Sequence, residues 1–130
     1  VKKLCVMLLA AMMMLLAAPI AAQAYAIYNH MDHWLCVQTD WSHNWGDCKY
    51  VVEPHGHHNG AHGSGMRHVW FTWNKGNTCH TISSATTIPK GGFARTYDDR
   101  VEIWKHCDKC TSKDHIHTRH YKKYKCNPNN

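Results

Sequence analysis

Five histidines, His55, His57, His58, His62 and His68, stand among glycines in the stretch E-P-H-G-H-H-N-G-A-H-G-S-G-M-R-H from Glu53 to His68. Neutral imidazole is a good ligand for Zn(II) and Cu(II). Glycine lets a backbone wrap an ion at little steric cost. The spacing His55-x-His57-His58-x3-His62 would let three or four rings meet at one ion, with His68 joining from the next strand. It matches no fixed motif, so the density of histidine carries the expectation. The competing reading is a solvated loop that binds metal only as any histidine cluster does.

A second cluster lies near the C-terminus. His106-Cys107-Asp108-Lys109-Cys110 precedes His115, His117 and His120. In a reducing compartment this would suit zinc. In an oxidising one the thiols pair as disulfides. A redox-active C-x2-C is disfavoured, because neither the Asp-Lys interior nor a strand-then-helix context fits that pattern. Five tryptophans, Trp34, Trp41, Trp45, Trp70 and Trp104, exceed what a small core can hold. Either loops cover them or they form an aromatic face for a glycan or protein partner.

Catalytic patterns are sparse. No local Ser-His-Asp, Cys-His or paired-carboxylate arrangement occurs, and the only glutamates are Glu53 and Glu102, which argues against glycosidase chemistry. Gly92-Phe93, Asp99-Arg100 and Asp114-His115 are loosely similar to the end of barnase-type secreted ribonucleases. The resemblance covers about a quarter of the chain. It implies Arg100 on phosphate and His115 as general acid. No glutamate lies between Pro54 and Val101, where that family's base belongs, and the cysteines near the C-terminus are foreign to it.

Residues 1–24 read as a secretory signal peptide: Lys2 and Lys3, an apolar run from Leu4 to Ala18, then Ala22-Gln23-Ala24 as a cleavage site. The run is short for a membrane span. The expected product is secreted or periplasmic, about 105 residues long and a single domain. Cys5 leaves with the leader, and Cys36, Cys48, Cys79, Cys107, Cys110 and Cys126 remain. Six cysteines in a small exported chain predict three disulfides, with fifteen possible pairings. Proximity favours Cys36–Cys48 and a bridge tying Cys126 back. Thirteen Lys/Arg stay in the mature chain against nine Asp/Glu, too mild an excess to imply a nucleic-acid partner. All 13 histidines also stay and would add positive charge between about pH 7 and 5.

Short strands must position these groups. Period-two alternation and β-branched runs predict strands over 26–28, 34–39, 49–52, 68–73, 78–82, 93–97 and 100–105. Asn74-Lys75-Gly76-Asn77 and Asp98-Asp99 are hairpin turns. Val69, Phe71 and Trp73 share one face, as do Val101 and Ile103. The expectation is an all-β, disulfide-stapled sandwich or partly open barrel of about seven short strands over 25–105. Residues 106–130 would form an irregular Cys/His-rich basic tail, stapled to the domain or serving as an arm for polyanions. The function expected first is non-enzymatic binding of Zn or Cu by the His/Gly loop. A secreted interaction module without metal, and a surface protein that responds to pH, are the alternatives.

Overall fold

The computed structural model describes residues 24–39, 48–60 and 65–126. Residues 1–23 of the expected leader, together with Trp41, Trp45 and His62, lie outside the described residues. The described chain is all-β. Its strands are β1 (Tyr25–Asn29), β2 (Leu35–Gln38), β3 (Tyr50–Val52), β4 (His57–Gly60), β5 (Met66–Lys75), β6 (Thr78–Ile82), β7 (Thr86–Ile88), β8 (Phe93–Thr96), β9 (Arg100–Trp104) and β10 (His115–Lys125). One 3-10 turn, Ser112–Asp114, is the helical exception among the described residues. No helix among them is long and apolar enough to cross a membrane.

The strands form one path, β3-β2-β5-β6-β10-β9-β8-β1-β4, with β7 paired to β5. Neighbours are antiparallel except β1 and β8, which are parallel. The ends of the path meet. The Tyr50 ring of β3 stacks on the His58 ring of β4, centroids 4.1 Å apart, so the sheet is nearly a closed barrel. Tyr25 joins this seam: burial, then a hydrogen bond with Tyr50, pushes its phenol pKa up to about 12. Gly60 is required there, because a Cβ would overlap the Tyr25 ring.

Inward-facing residues fill the barrel. Ile27, Leu35, Val37, Val69, Phe71, Ile82, Ile88, Val101 and Ile103 are buried. The predicted faces Val69/Phe71/Trp73 and Val101/Ile103 both point in. The predicted hairpin turn at Gly76 is present, with Gly76 at φ 58°, the left-handed region that glycine enters freely. β2 alternates in sequence, yet it is buried at every position. It lies between β3 and β5, and its outward Cys36 is bridged to Cys48.

Three strands exceed the seven expected: β4, β7 and β10. β4 is the sequence His-His-Asn-Gly, which has no apolar residue to announce a strand. It forms because β1 offers a free edge, pairing Tyr25↔Gly60 through Tyr28↔His57. The larger correction concerns residues 106–130. Of these, His115–Lys125 is not irregular but forms β10, in the middle of the sheet path, and Cys126 is stapled to Cys79 as a tie to the domain. Its first half pairs with β9, His115↔Trp104 to His120↔Arg100. Its second half pairs with β6, Tyr121↔Ile82 to Lys125↔Thr78. Each half is held by a ladder to a different strand, and pairing of this kind needs little apolar alternation in β10 itself.

Asn29 is the main polar tie. It is 1 % exposed. Its Nδ2 donates to the carbonyls of His33 (2.8 Å), Val52 (3.2 Å) and Glu53 (3.0 Å). Its Oδ1 accepts from the Met31 N–H at 3.0 Å and the Thr96 hydroxyl at 3.4 Å. One side chain therefore joins β1, the 30–34 loop, the end of β3 and β8.

Three disulfides are present: Cys36–Cys48, Cys79–Cys126 and Cys107–Cys110. Their sequence separations of 12, 47 and 3 residues correspond to about 3, 4 and 2 kcal/mol of loop-closure stabilisation.

Asn29→Ala should destabilise the fold by about 3 kcal/mol, because it leaves several buried backbone groups without partners. Urea denaturation measures this. A loss under about 1 kcal/mol would show that water or rearrangement replaces the tie.

Candidate functional site

Among the described residues, the histidines that sequence grouped for metal do not gather at one point. His55 sits at φ 57°, and its Nε2 lies 2.6 Å from Asp32 Oδ1. That hydrogen bond holds the Asp32 carboxyl below its ordinary value. His57 and His58 are consecutive on β4 and point to opposite sides. His57 lies near Tyr28, and His58 stacks on Tyr50. Burial, then His57, lowers the His58 pKa. His68 is exposed at φ 52°, where the pairing of β5 with β7 shifts register. It marks a bulge.

In β10, His115 Nε2 contacts the Thr118 hydroxyl at 2.9 Å. His117 is lowered mainly by burial, and His120 faces a different cleft, described below. Among the described residues no three His, Cys, Asp or Glu side chains are grouped to hold a metal ion. Cys107 and Cys110 are bonded to each other, which removes them as thiolate ligands in this state.

The described tryptophans of the expected aromatic face, Trp34, Trp70 and Trp104, do not gather either. Trp34 is 54 % exposed. Trp70 on β5 and Trp104 on β9 are half-buried, with β6 and β10 between their strands. The ribonuclease-like pair is likewise apart. Arg100 is held by Asp99 at 2.9 Å and Glu102 at 3.0 Å, while His115 pairs with Trp104, four residues along β9.

A different constellation occupies the barrel mouth. Trp73, His80 and Lys123 stand in one cross-strand row on β5, β6 and β10. They share the face of the buried Phe71 and Ile82, two residues nearer the end of the barrel. Tyr121 meets Trp73 edge-on at 6.3 Å. Lys75, Asp98, Asp99 and His120 complete the wall of a cleft of about 490 Å³. The 97–99 turn is pinned over it by the Tyr121 N–H, which donates to the Asp99 carbonyl at 3.0 Å.

Both faces of the Trp73 ring are covered. His80 stacks at 3.7 Å and 5°, and His33 from the 30–34 loop at 4.6 Å and 18°. Trp73 therefore offers no ring face to the cleft. Its Nε1, together with His80 Nδ1 and Tyr121 Oη, is buried and finds no hydrogen-bond partner among the described residues. Buried polar atoms are ordinarily paired, so three orphans in the wall of one cleft need a physical reason. These atoms are covered by the wall as it stands, and a ligand that displaces part of the wall would supply the missing partners.

The electrostatics agree with a receptive site. Burial lowers the His80 pKa most. Lys123 and His33 add to this, while the Trp73 main chain and the Asp98 charge oppose it. Burial, then Asp98, raises the Tyr121 phenol well above its ordinary value. At neutral pH His80 is uncharged and Tyr121 keeps its proton. The wall carries Lys75 and Lys123 against Asp98 and Asp99; Asp99 is engaged by Arg100, so the two lysines and Asp98 are the charges left facing the opening.

None of Trp73, His80 and Tyr121 stood out as a candidate from sequence. The available signal was a histidine in the β-branched run Thr78–Ile82 opposite an inward tryptophan.

Burial holds the pKa of His30, His58, His80 and His117 below the ordinary 6.5. The unfolded chain then takes up protons near pH 6.5 while the native chain does not. Stability should fall from pH 7.5 through 6.5 and level off below the folded pKa values. Urea midpoints against pH test this, and His80→Gln should make the fall shallower. A flat profile would contradict the assignment.

No family model, curated protein or solved structure matches this chain.

Proposed function

We propose that this chain is an extracytoplasmic binding module whose barrel mouth receives a small, oxygen-rich anion, such as a carboxylate- or phosphate-bearing sugar. The observation that carries this reading is the set of three orphaned buried polar atoms on Trp73, His80 and Tyr121 in the wall of one cleft. Indole N–H only donates, so it calls for an acceptor. Lys75 and Lys123 call for negative charge. The cleft volume falls within the range of about 300–1,000 Å³ usual for small-ligand sites, and barrel mouths are a common place for them. The covered faces of Trp73 argue against sugar-ring stacking there and for recognition by hydrogen bonds. The leader pattern and the three disulfides support a location outside the cytoplasmic membrane.

This reading keeps the interaction module and moves its site from the exposed tryptophans to the mouth. It needs no metal, whereas a metal-binding function would require His55, His57 and His58 to leave the contacts described above.

Calorimetric titration with glucuronate and glucose 6-phosphate, with glucose as the neutral control, tests it. An anionic probe should bind, with or without a chelator, and bind more weakly as salt rises. Trp73→Phe and Tyr121→Phe should each weaken binding about tenfold, the size expected for one hydrogen bond to a charged group. No heat from either anion at about 10 mM, or equal affinity for glucose, would contradict the proposal.

A further inference from the structure

The Cys107–Cys110 bridge differs from the other two in what it joins. Cys36–Cys48 and Cys79–Cys126 tie strands β2 and β6 to distant chain. Cys107 and Cys110 both lie in the connection from β9 to β10, so their bond holds no two strands together. The connection is closed without it. The Lys105 N–H donates to the Asp114 carbonyl at 3.0 Å, the Asp114 N–H to the Thr111 carbonyl at 3.0 Å, and the Thr111 N–H to Asp114 Oδ2 at 2.9 Å.

The bridge is also reachable. Cys107 is half-buried and Cys110 exposed. Both line a second cavity, of about 300 Å³, with Tyr28, Phe93, Arg95 and His106. The Tyr28 and Phe93 rings meet edge-on at 5.9 Å. The Arg95 guanidinium lies 5.2 Å over Phe93 and 5.6 Å over Trp104. Aromatic surface, a fixed cation and a disulfide therefore share one groove.

We propose that Cys107–Cys110 is a thiol–disulfide exchange site that oxidises dithiols in cysteine-bearing peptide segments, and that it acts independently of the barrel mouth. The aromatic groove would seat a side chain next to the substrate cysteine. The substrate thiolate attacks the exposed Cys110 sulfur. A mixed disulfide forms, the Cys107–Cys110 bond breaks, and Cys107 leaves as thiolate. The substrate's second thiolate then attacks its own sulfur in the mixed disulfide and expels the Cys110 thiolate. The substrate loses two electrons and two protons to become a disulfide. The protein disulfide gains the two electrons, and its thiolates take up two protons. Exchange favours a stabilised leaving thiolate. No helix N-terminus provides that here. Arg95 in the cavity wall and the adjacent Lys109 do so instead, while Lys105 is paired with Asp114 at 3.8 Å and Asp108 opposes them from the wall. Glutathione disulfide would restore the bridge.

The mature protein, incubated without oxygen with a reduced synthetic peptide carrying two cysteines beside a phenylalanine, tests the proposal. Mass spectrometry should find one peptide disulfide formed per protein. Alkylation should then mark Cys107 and Cys110 while the other two bridges stay intact. Cys107→Ser should retain Cys110 as a stable mixed disulfide with glutathione. Arg95→Gln should slow exchange about fivefold with an unchanged circular dichroism spectrum. The double variant Cys107→Ser/Cys110→Ser should keep its fold and lose all peptide oxidation. A peptide that stays reduced, all three bridges reduced at one rate, or unfolding of the double variant would overturn the proposal.

Discussion

The carboxamide of Asn29 is the constraint on which the rest of the barrel depends. Two short segments cross at this end of the sheet, the 30–34 loop and the turn after β3. Neither has enough regular pairing of its own to set its path. The Asn29 side chain supplies the missing partners at the carbonyls of His33, Val52 and Glu53. Its own backbone N–H donates to the Gly56 carbonyl at 2.9 Å. The terminal strands β3 and β4 are thereby held side by side, where Tyr50 and His58 stack. An amide suits this role because it donates and accepts from one planar group without burying a charge.

The same tie shapes the mouth. With its carbonyl held by Asn29, His33 lays its ring on Trp73, and the stack continues through His80 to Lys123 in the next strand. The stack excludes water from the indole nitrogen yet gives it no acceptor. Aromatic packing and hydrogen-bond satisfaction conflict at this point, and such conflicts are typical of functional sites. The cleft and the Cys107–Cys110 groove are built from different strands and differ in chemistry. One is lined by orphaned polar atoms with lysines above them, the other by aromatic rings around a reducible bond.

Much of the architecture was legible where side chains alternate. Val69-Trp70-Phe71-Thr72-Trp73 declared both its strand and its inward face, and Gly76 declared its turn. Cys36–Cys48 followed from proximity, and Cys126 was tied back as expected, to Cys79. Strands that depend on their neighbours were not legible. β10 carries His, Arg and Lys at most positions, so its central place rests on ladders from β6 and β9 that no local pattern encodes. The backbone of the histidine stretch was hidden for a related reason. Glycine suggested pliability, but His57 and His58 are claimed by an edge strand that turns consecutive rings to opposite sides. The mouth was hidden because its members come from three strands, and each reads alone as ordinary core.

The central claim is that the mouth withholds a hydrogen-bond partner from the Trp73 indole until a ligand supplies one. The most direct measurement is the ¹⁵N-resolved indole N–H resonance of Trp73, assigned by its loss in Trp73→Phe, followed during addition of glucuronate. The account predicts a saturable downfield proton shift at Trp73 and slower hydrogen exchange there, with the indoles of Trp34 and Trp70 unmoved. A Trp73 signal that stays fixed while ligand binds, or one that moves only in step with the exposed indoles, would contradict it.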